Sequence, residues 1–141
     1  MIVIIKNLQK KIPVNRRIIK SSVLDILASL RGPADGEVNV SVITDPRIKR
    51  LNSRFHGRDF PTDVLSFDLS RAGGELIADI YVSADTAARN SRVFGTAKDE
   101  ELYLYVIHGM LHLLGFDDHR TQDRKAMRAK EAYFLKRLSQ Y

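Results

Sequence analysis

The sequence predicts a single α+β domain, in which a small mixed sheet of about four strands is flanked by helices. Three observations support this prediction. Short β-branched runs alternate with longer segments in which apolar residues recur at helical spacing. A Gly-Gly connection joins two of the strand-like runs, and no repeat or low-complexity segment divides the chain. The length of 141 residues also suits one domain, which we place over residues 1–141.

Strands and helices are expected to alternate in the first half of the chain. The run MIVIIK predicts a first strand. Apolar residues recur at helical spacing over Val14–Leu30, which predicts a helix, and RGPADGE then interrupts it. Valines alternate with polar residues over Glu37–Ile43, which indicates a half-buried strand. The dipeptide Asp45-Pro46 marks the start of a helix that is expected to reach about Phe55.

The second half of the chain predicts a pair of strands followed by three helices. The runs VLSFDL and ELIADIYVS are typical of strands, and Gly73-Gly74 between them favours an antiparallel pair. Ser83 is expected to cap a helix that continues to about residue 93. A long, mostly apolar helix is predicted over Lys98–Leu114. A basic amphipathic helix follows over residues 121–138, with Thr121 as its expected cap.

Composition excludes several classes of protein. The chain contains no cysteine, which excludes a disulfide scaffold, thiol catalysis and cysteine-based zinc fingers. Its apolar runs are much shorter than a membrane span needs, and its first residues do not have the charge order of a signal peptide. We therefore expect a soluble cytoplasmic protein without a membrane partner.

The net charge of +6 is unevenly distributed. Residues 1–20 carry six basic residues and no acid, 47–58 carry five and no acid, and 120–137 carry seven against two acids. Residues 59–101 reverse the balance, with nine acids against four bases. Each cluster could be a solvated helix face, but three basic segments around an acidic middle indicate a basic surface that frames a site for a polyanion. The residues expected to contact nucleic-acid phosphates are Arg54, Arg120, Arg124, Lys125 and Arg128.

The chemistry is expected at the end of the long apolar helix and in the turn after it. His108 and His112 are four residues apart, so their rings project from one face of the helix and can chelate one metal ion. Gly115 is placed to end the helix, which allows a third donor to return to the same ion. The spacing favours Asp118 as that donor, with His119 as the alternative. The competing interpretation is a hydrogen-bonded core histidine beside an incidental one.

The donor types favour one zinc ion per chain, although nickel, cobalt or manganese would accept the same nitrogen and oxygen ligands. Three protein ligands leave a position open for water, as a catalytic site requires. A zinc peptidase carries Glu directly after the first histidine of its H-E-x-x-H helix, whereas this chain has Gly109. Attack on a phosphodiester therefore fits the basic surroundings better than attack on a peptide.

Three sequence blocks make the chain resemble the YbeY family of bacterial endoribonucleases. They are HGMLHLLGFD at 108–117, LNSRFH at 51–56 with TDVLSF at 62–67, and Ala78-Asp79-Ile80. The resemblance implies a zinc-dependent endoribonuclease that prefers single strands. It also implies a role in maturation of small-subunit ribosomal RNA and in ribosome quality control, with the small ribosomal subunit as a partner. In this sequence an additional acid displaces the third signature histidine, His56 replaces an arginine, and Ala78 replaces a glycine.

Four further residues are assigned roles around the metal. Arg58, assisted by His56 when that ring is protonated, is expected to stabilise charge on the phosphoryl oxygens, unless Arg58 is only a solvated loop residue. Asp79 is expected to orient a ligand imidazole, or else to be an edge-strand acid. Asp63, next to Thr62, is more simply explained as fixing its loop.

Two other functions compete with a ribonuclease. One is a metal hydrolase of another class, and the other is a non-catalytic, metal-stabilised ribosome-assembly factor that binds RNA through its basic faces. No DNA partner is predicted.

Overall fold

The structure is a computed structural model that describes residues 1–141. Its elements in chain order are β1 (Ile2–Asn7), α1 (Arg16–Ser29), β2 (Gly36–Ile43), α2 (Asp45–His56), β3 (Val64–Asp68), β4 (Leu76–Ser83), α3 (Ala84–Phe94), α4 (Lys98–Leu113) and α5 (Thr121–Arg137). The chain closes with a short 3-10 turn, Leu138–Gln140. Each predicted element is present, with ends within two residues of the prediction. None of the helices combines the length and apolar character needed to cross a bilayer.

The four strands form one mixed sheet in the order β1-β2-β4-β3. β1 pairs in parallel with β2, and β2 pairs in parallel with β4. β3 pairs antiparallel with β4, as the Gly-Gly connection predicts. Gly73 and Gly74 in that connection have φ values of 138° and 86°, which side chains rarely tolerate. The predicted α+β class with a four-stranded mixed sheet is therefore confirmed.

The two faces of the sheet are covered by different helices. Side chains alternate across a strand, so Ser66 and Ile80 point to one face while Phe67, Asp79 and Tyr81 point to the other. α4 packs on the first face, where α1 and α5 complete a continuous core around it. α2 packs on the second face over the β3–β4 end of the sheet, where its buried Ile48 joins a small separate cluster. α2 and α4 thus lie on opposite faces of the same two strands.

Three helix ends bear on the predictions: the start of α3, the start of α5 and the end of α2. The Ser83 hydroxyl accepts a hydrogen bond from the Thr86 amide, which confirms the predicted cap of α3. The predicted cap of α5 is wrong. Arg120 is the capping residue because its backbone is extended, whereas Thr121 is already helical and its hydroxyl accepts from Arg124. α2 ends at Gly57, whose φ is 66°.

Candidate metal centre

The last two turns of α4 carry the two histidines of the site. A pair of hydrogen bonds ends the helix, from the Phe116 amide to the Leu111 carbonyl and from the Gly115 amide to the His112 carbonyl, each 3.0 Å long. This is the Schellman arrangement, and it requires the left-handed φ of 94° that Gly115 adopts. The chain therefore reverses direction immediately after His112, as the sequence predicts.

Three donor atoms face one another at this reversal. Nε2 of His108 lies 2.9 Å from Nε2 of His112. Oδ2 of Asp118 lies 3.6 Å from the first nitrogen and 3.5 Å from the second. The three side chains are partly buried, so the donors lie in a recess. His108, His112 and Asp118 thus form a group that could hold one cation.

The spacing of this group fits a small tetrahedral ion. Ligands at about 2.0–2.1 Å from a tetrahedral zinc lie about 3.3–3.5 Å from one another. The two distances to Asp118, 3.5 and 3.6 Å, lie at and just above the upper end of this range. The two histidine nitrogens are closer, at 2.9 Å, because one hydrogen-bonds to the other. Two imidazoles and one carboxylate are also a donor set that zinc accepts while it keeps a fourth position open.

The loop after α4 directs Asp118 toward the histidine pair and leaves His119 on the exposed rim of the cavity. Oδ1 of Asp117 accepts hydrogen bonds from the amides of Asp118, at 2.6 Å, and His119, at 3.2 Å. The side chain of His119 is 85% exposed, and its Nε2 lies 3.3 Å from Asp117 rather than near the histidine pair. Arg124 donates to the carbonyl of His119 at 2.9 Å, which ties this loop to α5. Of the two alternatives for the third donor, the geometry favours Asp118.

Glu131 on α5 holds the other nitrogen of His108. Its Oε1 lies 2.8 Å from His108 Nδ1, and its side chain is largely buried. Burial of the ring opposes protonation, but the Glu131 hydrogen bond and the nearby carboxylates of Glu131, Asp63 and Asp118 raise the pKa of His108. A carboxylate on Nδ1 fixes the tautomer that directs the Nε2 lone pair toward a metal.

Sequence reasoning missed Glu131, although the sequence contains a signal for it. Met127 and Phe134, four residues before and three after Glu131, are both 2% exposed. Their spacing places Glu131 on the apolar inner face of the helix, where an acid needs a partner. An acidic residue on the apolar face of a helix therefore indicates a buried partner. In a chain with a pair of metal-binding histidines, one of those histidines is the expected partner.

A cavity of about 500 Å³ opens above the three donors. Besides the donors, its lining includes Arg58, His56 and Asp63. The structure therefore brings these predicted residues to one site with the histidine pair. Asp63 Oδ1 accepts from the Val64 amide at 2.8 Å and from the Thr62 hydroxyl at 3.2 Å, so it also fixes its loop.

The loop that carries Arg58 is held by α2. Asn52 is 3% exposed and donates from its side-chain amide to the Phe60 carbonyl at 2.9 Å. The amide of Arg58 in turn donates to the Asn52 carbonyl. One buried residue therefore sets the backbone on both sides of the turn, and the arginine side chain remains exposed at the cavity.

Gly109 lies where α4 touches the sheet. A Cβ atom at this position would lie 2.8 Å from Ser66 Oγ and 3.2 and 3.3 Å from methyl carbons of Val64 and Ile80. Ser66 Oγ also donates to the Gly109 carbonyl at 3.1 Å. The position that carries the general base in H-E-x-x-H peptidases therefore faces the core here and has no room for a side chain.

The structure does not bring Asp79 to the histidines. The strand alternation that points Ile80 toward α4 points Asp79 to the opposite face, so the expected contact with a ligand imidazole is wrong. Glu131 makes that contact instead. The expectation failed because sequence alone does not show which face of a half-buried strand meets the long helix.

The basic residues predicted to bind nucleic acid lie in different places. Arg54 lies on the far side of α2 from the cavity, with its guanidinium 5.4 Å from the Phe55 ring centre. Arg120 forms an ion pair with Asp123 at 2.8 Å, and Arg124 donates a hydrogen bond to the His119 carbonyl in the loop before α5. Lys125 and Arg128 are exposed on α5.

Comparisons with known proteins agree with the motifs. The family model described as endoribonuclease YbeY matches residues 4–139. The endoribonuclease YbeY of Desulforamulus reducens is 36% identical over 149 aligned residues, which cover 98% of this chain and 97% of that protein. The proteins of the same name from Anaeromyxobacter sp. and Anaeromyxobacter dehalogenans are 46% and 45% identical over 75% of this chain. The chain spans only 56% and 55% of the length of those two relatives.

A solved structure supports the fold independently. The solution structure of a Thermotoga maritima protein superimposes with a TM-score of 0.65 at 29% identity, over 97% of this chain and 89% of that one. Fold, motif order and a family match over almost the whole length lead to one conclusion: the chain belongs to the endoribonuclease YbeY family.

Proposed function

We propose that this chain is a metal-dependent endoribonuclease that cleaves single-stranded RNA. One observation carries the proposal: two imidazoles and a carboxylate converge in a recess that is also lined by Arg58 and His56. We assign its substrate to the ribosomal RNA of the small subunit and its location to the cytoplasm, in line with the family to which the chain belongs. Zinc is the metal that the donor set favours.

A bound metal would supply a water nucleophile at neutral pH and a positive charge for the phosphoryl oxygens. The chain itself provides the remaining functions. His108, His112 and Asp118 would hold the ion, and Glu131 keeps the His108 ring in the orientation that metal binding requires. Arg58 stabilises negative charge that develops on the phosphate in the cavity. A protonated His56 would supply further positive charge to the same phosphate.

The shape of the site supports a single-stranded substrate. The donors lie at the bottom of a recess between α4 and the loop after α2, and the His108 and His112 side chains are 24% and 34% exposed. A flexible single strand can lower one phosphate into such a recess. A stiff A-form duplex presents its phosphates on a wide convex surface and would meet the rim first.

The test combines metal content with RNA cleavage. Wild type and the variants His112→Ala, Asp118→Ala, His119→Ala and Arg58→Ala are purified, and bound metal is measured by elemental analysis. The same preparations are incubated with end-labelled single-stranded RNA, duplex RNA and single-stranded DNA. We expect His112→Ala and Asp118→Ala to lose metal and cleavage together, and Arg58→Ala to keep metal but cut slowly.

A wild-type protein that holds metal and binds RNA, yet never cuts it, would contradict the enzymatic proposal and favour a non-catalytic assembly factor. Residual cleavage in His112→Ala equal to that of wild type would reveal a contaminating nuclease. The geometry disfavours a peptidase, because Gly109 has no room for a base.

A further inference from the structure

A stripe of arginines runs along α2 on the side away from the metal cavity. Arg47, Arg50 and Arg54 are spaced three and four residues apart, so they share one face of the helix. The helical rise places the first and the last about 10 Å apart along the axis. We call these three residues the α2 stripe.

The α2 stripe is not neutralised by the protein. All three side chains are exposed, and none lies within ion-pair distance of a carboxylate. On the same helix Lys49 has an acidic neighbour, Asp59, at 3.9 Å. Three adjacent guanidinium groups without counter-charges repel one another, and an anionic ligand would relieve that repulsion.

The stripe borders a cavity of its own. A space of about 390 Å³ lies between α2 and the second face of the sheet, and it is lined by Arg47, Arg50, Leu51, Arg54 and Tyr81. Tyr81 is half-buried on β4 and supplies an aromatic side to this cavity. Burial and Asp79 raise the pKa of Tyr81, whereas Arg47, which lines the same cavity, opposes them. Cationic groups beside an aromatic ring are the features that bind single-stranded nucleic acids.

A row of aromatic rings connects this cavity to the metal cavity. His56 lines the metal cavity and stacks on Phe67, with ring centres 5.8 Å apart and planes 5° apart. Phe67 in turn meets Tyr81 edge to face at 5.9 Å. The row passes the C-terminal end of α2, so a strand leaving the metal site could follow it to the α2 stripe.

We infer that the α2 stripe and Tyr81 form a second RNA-binding site, which holds the phosphates and a base of the single strand flanking the scissile bond. The stripe has room for about two or three successive phosphates. This inference rests on the proposed function, since it extends the path of the same substrate. It assigns to Arg47, Arg50 and Tyr81 a function that the metal site does not require.

The experiment measures RNA binding against salt. Arg47, Arg50 and Arg54 are replaced together by glutamine, and the matched control replaces the exposed Arg16, Arg17 and Lys20 of α1 by glutamine, with the same loss of charge. Binding of a labelled 12-nucleotide single-stranded RNA is followed by fluorescence anisotropy from 50 to 300 mM salt. Thermal melting confirms that both variants remain folded.

We expect the stripe variant to bind about 10–100-fold more weakly at 0.1 M salt, with the slope of log K against log salt reduced by about 2, and the control to stay near wild type. Tyr81→Leu is expected to weaken binding about tenfold without changing the slope, because stacking releases no counterions. Equal losses in the stripe and control variants would show that only net charge matters and would overturn the inference.

The result also separates this inference from the proposed function. If wild type cuts RNA and the stripe variant binds it as the control does, the second site is wrong and the ribonuclease stands. If wild type neither binds nor cuts RNA, both fall. Displacement of the RNA by poly-glutamate at equal charge concentration would point to an acidic protein partner and would likewise overturn an RNA site.

Discussion

Nδ1 of His108 lies 2.8 Å from Oε1 of Glu131, and this contact joins the C-terminal half of α4 to the inner face of α5. The two residues are 23 positions apart in the chain. Glu131 determines which nitrogen of His108 carries the proton. Its carboxylate can accept a hydrogen bond but cannot donate one, so the proton lies on Nδ1. Nε2 of His108 is then free to bind a cation. In this way α5 supports the metal site although it provides none of the three ligands.

Replacing Glu131 by glutamine is expected to weaken metal binding about 10–100-fold, since the amide keeps a hydrogen bond but loses the charge. The affinity is measured by competition with a chromophoric chelator. In the metal-free protein the pKa of His108 is expected to fall, because Glu131 helps to raise it; an NMR titration of the imidazole follows that change. Glu100→Gln, on the exposed first turn of α4, is the control. A Glu131→Gln protein with wild-type affinity would show that the contact does not prepare the site.

Asp118→Ala is expected to reduce metal affinity more than Glu131→Gln does, because it removes a donor rather than its support. His119→Ala is expected to leave metal content unchanged, since its ring is exposed and faces Asp117. Elemental analysis after dialysis against a weak chelator distinguishes the two. Loss of metal in His119→Ala with full occupancy in Asp118→Ala would reverse the choice of third ligand.

Arg58→Ala is expected to lower kcat/KM for RNA cleavage about 100-fold and to leave metal content unchanged. The arginine lines the cavity but belongs to no donor group. Arg58→Lys keeps the charge and should recover part of the rate, although lysine cannot form a bidentate contact with phosphate. Equal activity of Arg58→Ala and wild type would mean that the loop arginine is only solvated.

Gly109→Glu completes the H-E-x-x-H pattern in the sequence but is expected to unfold the protein rather than create a peptidase. The new side chain would enter the contact with Ser66, Val64 and Ile80 and bury a charge. The free energy of unfolding in urea should fall by about 3 kcal/mol or more. Ala126→Glu, on the exposed face of α5, should change it by less than about 0.5 kcal/mol. A stable Gly109→Glu protein would contradict the packing of α4 on β3 and β4.

Asp25 is expected to make stability depend on pH in acid. Arg137 contacts both its carboxylate oxygens, at 2.6 and 2.8 Å, and the Tyr141 hydroxyl donates to one of them. The Arg137 hydrogen bond, opposed by burial and aided by Tyr141, holds the pKa of Asp25 below its ordinary value of 3.8. A folded-state pKa below the unfolded one stabilises the fold above pH 3.8, and that stability is lost as pH falls through the folded pKa.

Urea unfolding of wild type and Asp25→Asn between pH 2 and pH 6 measures this contribution. The variant should be less stable at pH 6 and should lose less on acidification. Part of the acid sensitivity should remain, because Asp45 and Asp85 also have lowered pKa values. Parallel pH curves for the two proteins would show that the contact between α1 and the C-terminal segment does not stabilise the fold.

Local patterns were sufficient to predict the strands and helices but not how they pack. Alternating valines predicted β2, and helical spacing predicted α4, because each pattern reflects one element's own periodicity. The cap of α5 was missed by one residue, because Arg120 adopts the extended backbone that a threonine was expected to supply. The expected contact of Asp79 with a ligand imidazole was wrong, since alternation separates two faces without saying which helix covers each.

The sequence by itself determined the histidine pair and the turn beyond it. Helical geometry fixes residues four apart on one face, and a glycine with positive φ is a local requirement of the backbone. Only the tertiary structure decided that Glu131 orients His108, that Gly109 has no room for a base and that His56, Phe67 and Tyr81 form one row. Those relationships join residues far apart in the chain, and they arise only when α5, α4 and α2 pack against their neighbours.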